Sequence, residues 1–244
     1  MAQFTEVEPA ALSAPTLVEG FPGVGLVGKI AVDHLVEAFG MSHHANLHCE
    51  GLPPVVGYGA DDRSARTPVR LYADEERDLL ALQSDVPVAP RAARSVAECL
   101  GSGLGDEVTP LYLSGIPAER AESPPAVYGT ATGGLETRLA DAGVEAPPEP
   151  GVVSGPTGAL LARALERGDP AAGIVAESDP KFPDPASARA VLRHAVEPLA
   201  GVSVPTDDLV ERASEIRKAR ERLAQQMQDP EADASRAQST GMYQ

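Results

Sequence analysis

Residues Gly23-Val24-Gly25-Leu26-Val27-Gly28 form a GxGxxG turn between an apolar run and an amphipathic one. Between a strand and a helix, such glycines let backbone N–H groups approach a pyrophosphate at the positive end of the helix. Glu50 lies 22 residues beyond Gly28, where a dinucleotide-binding protein places the acid that holds the ribose. Pro22 before the first glycine and Lys29 after the third depart from that pattern, and no catalytic constellation follows downstream. Two readings of Gly23, Gly25 and Gly28 stand. They make a structural turn that allows close helix–sheet packing, or they form the nucleotide- or nucleoside-binding turn of an enzyme or sensor.

Four of the five histidines, His34, His43, His44 and His48, fall within 15 residues. If residues 43–51 form a strand, His44, Asn46, His48 and Glu50 share one face and Ala45, Leu47 and Cys49 the other. Residues four apart on a strand are roughly 13 Å apart, too far to hold one ion unaided, so the spacing predicts a polar, interface-facing strand and no metal site. Ser154, in Gly151-Val-Val-Ser-Gly155, does not match a nucleophile elbow. Cys49 and Cys99 are expected to be ordinary buried thiols, and Gly155-Pro156-Thr157-Gly158 lacks the lysine of a phosphate loop and reads as a turn. The last residues, Met242-Tyr243-Gln244, offer an apolar side chain, an aromatic one and a free carboxylate, a set that suits a pocket with a cation at its rim.

The elements that must position these groups alternate. Residues 16–19 read as a strand, 26–39 as a helix closed by Gly40, 43–51 as a strand, and 68–73 with 78–83 as a hairpin around Asp74-Glu75-Glu76-Arg77. A helix over 89–104, strands at 108–114 and 126–130, and a short helix at 135–142 follow. Four prolines make 144–156 a loop. Helix 158–167, strand 171–177 and a helix over 185–199, N-capped by Asp184, complete the series. Such alternation predicts helices on both faces of a mostly parallel sheet with an antiparallel hairpin. Residues 1–206 are assigned to this α/β domain.

Residues 207–228 contain neither Gly nor Pro and read as an amphipathic C-terminal helix. Leu209, Ala213, Ile216, Leu223 and Met227, with Arg220 at the missing step, trace a heptad seam that serves either core packing or a helix–helix oligomer contact. Residues 229–241 are polar and small, and with the last three residues they form an expected flexible tail, 229–244.

The 244 residues carry 20 basic and 36 acidic side chains, a formal charge of −16. That balance argues against nucleic acid and anionic membranes as partners. Only Lys29, Lys181 and Lys218 among the basic residues are lysines, and Trp is absent, a composition that predicts a halophilic chain kept soluble in concentrated salt. No signal peptide is read in MAQFTEVEPA and no apolar run reaches membrane length, so a cytoplasmic protein is expected.

Glu19-Gly-Phe-Pro-Gly-Val-Gly-Leu-Val-Gly28, the Glu50-Gly-Leu-Pro-Pro54 segment, Ser154-Gly-Pro-Thr-Gly-Ala-Leu-Leu161 and Ser178-Asp-Pro-Lys-Phe-Pro-Asp-Pro185 together resemble the archaeal proteasome-assembly-chaperone family over roughly residues 15–200. The resemblance implies a three-layer α/β/α sandwich of phosphorylase-like type, homo-oligomers, no cofactor and no established catalysis. In some members it also implies a C-terminal apolar-Tyr-X tail that contacts the core proteasome α-ring, a pattern that Met242, Tyr243 and Gln244 match position by position. The function it implies is ATP-independent proteasome binding, as assembly chaperone or activator.

Overall fold

The computed structural model describes residues 3–58, 63–89, 92–103, 107–118, 124–209 and 211. Among the described residues there are ten strands: β1 (Gln3–Glu6), β2 (Thr16–Gly20), β3 (Ser42–His48), β4 (Gly57–Tyr58), β5 (Ala65–Arg66), β6 (Val69–Asp74), β7 (Leu79–Ser84), β8 (Thr109–Pro117), β9 (Val127–Thr132) and β10 (Ala171–Ser178). The helices are α1 (Val27–Phe39), α2 (Ala93–Gly103), α3 (Glu136–Asp141), α4 (Gly155–Arg167), α5 (Pro185–Val191) and α6 (Glu197–Ala200).

Eight strands form one sheet in the order β1-β3-β6-β7-β2-β8-β10-β9, and β4 pairs with β5 in a small separate ribbon. The centre, β7-β2-β8-β10, is parallel. The predicted hairpin is present as β6–β7, with Val69 opposite Ser84 and Asp74 opposite Leu79. The antiparallel portion extends past it through β3 and β1, and β9 closes the other edge antiparallel to β10. All five residues of β2 are buried, as expected of a central strand covered on both faces.

The core lies in two layers. Val18, Val32, Leu35, Leu113, Ile174 and Val191 pack with α1 and α5 on one face. Leu17, Leu47, Leu71, Leu82, Leu100 and Leu160 pack with α2 and α4 on the other. Such an arrangement is the three-layer α/β/α sandwich the sequence suggests. Helix α1 ends where Gly40 turns left-handed at φ +60° and its N–H reaches back to Glu37 and Val36, a conformation that favours glycine.

Several boundaries differ from expectation. The short β1 and the β4–β5 ribbon have too few residues to show a periodicity. Helix α4 begins at Gly155, so Pro156 sits in its first turn and not in the loop, where its missing N–H would be unpaired anyway. The single helix expected over 185–199 is interrupted by a π turn at Leu192–Val196. Pro198 cannot donate to the carbonyl four residues back, and the backbone widens just before it. Asp184 caps α5 as predicted, its Oδ1 accepting from Ser187 N at 3.1 Å.

Residues 207–209 are helical, and Leu209 is buried in the α1–α5 layer. Apart from residue 211, the predicted 210–228 portion of the amphipathic helix and the 229–244 tail lie outside the described residues. Among the described residues no helix is long and apolar enough to cross a membrane.

Candidate functional site

In an open α/β sheet the site-forming crevice lies at the carboxyl ends of strands whose connections leave in opposite directions. Here those strands are β2, whose chain crosses to β3, and its parallel neighbour β8, whose chain runs on to β9 and β10. The Gly23–Gly28 turn sits at that point. Leu26 N donates to Gly23 O at 3.0 Å. Gly25 adopts φ +61° and Leu26 φ +53°, two successive left-handed residues.

The space at the turn is taken by the chain itself. A Cβ on Gly25 would lie 1.8 Å from Ser178 Oγ and 3.2 Å from Asp179 O. A Cβ on Gly28 would lie 3.3 Å from Leu113 Cβ, and one on Gly20 2.5 Å from Val32 Cβ. From the β8 side, Gly115 approaches so closely that its Cβ would lie 2.5 Å from Val24 O. Gly23 differs, with an extended backbone and its nearest neighbouring atom at 4.0 Å.

The lid on the turn is the segment between β10 and α5. Asp184 N donates to Gly25 O at 2.8 Å. The Asp184 carboxylate accepts from Asp179 N at 3.1 Å, from Ser178 Oγ at 3.3 Å and from Ser187 N at 3.1 Å. Ser187 Oγ donates to Glu177 O at 2.6 Å. One buried aspartate therefore caps α5, folds the Ser178–Asp184 loop and holds it over the glycine turn.

On the opposite face of the sheet stands Glu19, fully buried. Its Oε1 accepts from Phe21 N at 2.6 Å and its Oε2 from Thr157 Oγ1 at 3.1 Å. Burial drives its carboxyl up to about 8, against the hydrogen bonds from Phe21, Thr157 and Leu113, which pull it down. Glu19 thereby joins the start of α4 to the strand that feeds the glycine turn, linking two of the segments that carried the family resemblance. Its signal in the sequence is a lone acid in an apolar strand, Thr16-Leu-Val-Glu-Gly20.

A second polar network lies beside α1. Lys29 Nζ contacts Asp33 at 2.7 Å and Asp85 at 3.2 Å. Arg70, buried in the sheet, pairs with Asp85 at 2.7 Å and donates to the Tyr72 hydroxyl and to Gln83. The Arg70 and Lys29 charges hold Asp85 below the usual carboxylate range, against its partial burial. Lys29 is thus engaged with carboxylates.

The remaining predicted residues separate. Strand β3 does not neighbour β2, since β6 and β7 stand between them. Glu50 is exposed beyond the end of β3, so it is not where a dinucleotide's acid belongs. His34 is buried and meets Pro205 O, His44 Nδ1 donates to Glu8 O, and His43 lies 3.0 Å from Asn46 Oδ1 and against the Tyr72 ring. Ala45, Leu47 and Cys49 face the core as expected. A bulge between His43 and Ala45 breaks the predicted alternation. Among the described residues no group of three or more His, Cys, Asp or Glu could hold a metal ion. Cys49 and Cys99 are buried, and the Cys49 thiol is pushed up by its contact with Cys99 and by burial. Ser154 precedes α4 in extended conformation. Met242, Tyr243 and Gln244 lie outside the described residues.

Such features define an α/β/α protein whose switch-point crevice is closed by its own loop and a buried carboxyl. The chain belongs to the PAC2 family, whose model matches residues 17–224. It is 28% identical over 228 residues to an uncharacterised protein of Methanocaldococcus jannaschii, covering 92% of this chain and 91% of that one. Its fold is similar to that of Pyrococcus furiosus PbaA, an archaeal homolog of proteasome-assembly chaperone, with TM-score 0.76, 23% identity and 98% and 99% of the two chains covered. It is likewise similar to that of Pyrococcus furiosus PbaB, an archaeal proteasome activator, with TM-score 0.77, 22% identity and 91% and 98% covered.

Proposed function

We propose that this chain is a non-enzymatic, ATP-independent protein of the cytoplasm that binds the core proteasome, assisting its assembly or opening its gate. Its terminal Met242, Tyr243 and Gln244 dock on the α-ring, and no cofactor takes part. The observation that carries the reading is the apolar-Tyr-X ending on a chain of the PAC2 family. Its likeness in fold to an assembly-chaperone homolog and to an activator supports it. So does the glycine turn, where Ser178 and Asp179 stand against Gly25.

The physics of docking is modest per tail. The free carboxylate would pair with a lysine between two ring subunits while Tyr243 and Met242 fill the adjoining pocket. One such peptide binds weakly, and a homo-oligomer that presents several gains through effective concentration. High salt screens any steering by the −16 charge, so short-range fit must select the partner.

The test is co-sedimentation with the purified core proteasome of the same organism, in its native salt, for the full chain, Tyr243→Ala and a chain lacking 242–244. Loss of binding in both variants, with oligomer size unchanged, is expected. Binding at full affinity without the tripeptide would refute the docking mode. Faster peptide hydrolysis by the mature core would mark an activator, and a higher yield of assembled rings an assembly chaperone.

A further inference from the structure

Far from the glycine turn, a cavity of about 100 Å³ opens between α2 and α4, over the N-terminal halves of β2 and β8. Leu17, Leu100, Val108 and Leu160 give it apolar walls. Tyr112, Arg163, Arg167 and Asp169 bring polar groups to its lining. Tyr112 of β8 is only 8% exposed. Arg163 of α4 is half-buried and lies across Gly101 of α2, its Nε 2.9 Å from where a Cβ on that glycine would stand.

Among the described residues neither the Tyr112 hydroxyl nor the Arg163 guanidinium makes a hydrogen bond or ion pair. An unmade hydrogen bond on a buried group is strongly unfavourable, and an arginine brings only donors. One hydroxyl and one guanidinium converging on an apolar chamber call for an anionic acceptor with an apolar end.

The surrounding charges are mixed, since Glu19 and Asp169 act on the Tyr112 hydroxyl as well as Arg163. Asp169 at the rim is already paired with Arg167 at 2.5 Å. Glu19 stands in register with Tyr112 on the neighbouring strand, and with its carboxyl near 8 it is mostly protonated at neutral pH. With two arginines and one aspartate in the lining, the cavity keeps an excess of positive charge, and Arg163 makes no ion pair among the described residues. The volume suits about three waters at ~30 Å³ each, or one carboxylate with a tail of one or two carbons.

We propose that the α2–α4 cavity is a binding site for a small monocarboxylate of acetate or propionate size. The carboxylate accepts from the Tyr112 hydroxyl and the Arg163 guanidinium, and the alkyl end rests on Leu17, Leu100 and Leu160. The site is independent of the tail and of the proteasome reading.

Saturation-transfer NMR with sodium propionate, at ionic strength held constant with sodium chloride, tests it on the full chain. Saturable binding is expected, weakened at least tenfold by Tyr112→Phe and by Arg163→Gln. Hexanoate, too long for the chamber, is expected to bind at least tenfold more weakly than propionate to the unmodified chain, a comparison that needs no variant to fold. A signal that chloride abolishes at equal concentration, hexanoate binding as well as propionate, or undiminished affinity in Tyr112→Phe would overturn the assignment. So would tighter binding of a peptide ending in Met-Tyr-Gln, which would make the occupant a chain terminus.

Discussion

Glu19 makes the stability of the fold depend on pH in a direction opposite to most carboxylates. Its ordinary value of 4.5 is raised to about 8 in the folded chain. Between those limits the folded state holds a proton that the unfolded state has released. Stability is therefore fully present below about pH 4.5 and is lost as pH rises toward 8. The loss runs at about 1.4 kcal/mol per pH unit and reaches about 5 kcal/mol over that span, an order-of-magnitude figure. Other groups titrate over the same range, so the variant Glu19→Gln isolates the effect. Its amide stays neutral at every pH, with the oxygen able to accept from Phe21 N and the NH2 to donate to Thr157 Oγ1, the reverse of the bond Thr157 makes to the native carboxyl. Urea unfolding of both proteins at pH 5, 6, 7 and 8 in fixed salt reads the difference between them. The wild type should fall relative to the glutamine variant by about 1.4 kcal/mol for each pH unit. A difference that stays constant with pH would refute the argument, because it would mean that Glu19 is ionised in the folded protein despite its burial.

Gly25→Ala should destabilise by at least about 2 kcal/mol in denaturant unfolding, since the site combines φ +61° with a Cβ position 1.8 Å from Ser178 Oγ. Gly23→Ala, extended and with open space around it, should cost less than about 1 kcal/mol. A phosphate-binding turn would instead leave room at Gly25. Asp184→Ala removes the α5 cap and the tie to Ser178 together and should cost about 1–2 kcal/mol; limited proteolysis should then cut within residues 179–184, and an unchanged digest would count against the loop being held by this side chain. Cys49 and Cys99 should resist a thiol reagent such as DTNB in the native protein and react only on unfolding, because both are buried and the Cys49 thiol is pushed up.

Much of the layer architecture was legible because it depends on period and punctuation. Gly40 ends α1 through its left-handed backbone and Asp184 begins α5 through its side-chain cap. The charged tip at 74–77 marked the β6–β7 hairpin. What escaped has no local signal. The placement of β3 beyond β6 and β7 is a long-range choice, and it alone removes Glu50 from the neighbourhood of Gly28. Pro156 reads equally as loop or as the first turn of a helix. A lone Glu19 beside apolar neighbours does not tell in the sequence which helix covers it, and in the fold it is buried under α4.

The glycine turn shows why a motif and its chemistry can part. A phosphate site needs glycines so that a ligand can approach the backbone, and dense packing needs them so that another segment can. The two demands leave the same letters in a sequence. They differ in what occupies the missing Cβ positions. Here Ser178, Val32, Leu113 and Val24 stand at those positions around Gly25, Gly20, Gly28 and Gly115. The place where this fold type ordinarily holds a ligand is consumed in joining β2, β8 and β10 to α1 and α5. The chamber of Tyr112 and Arg163 lies on the opposite face, toward the other end of the strands.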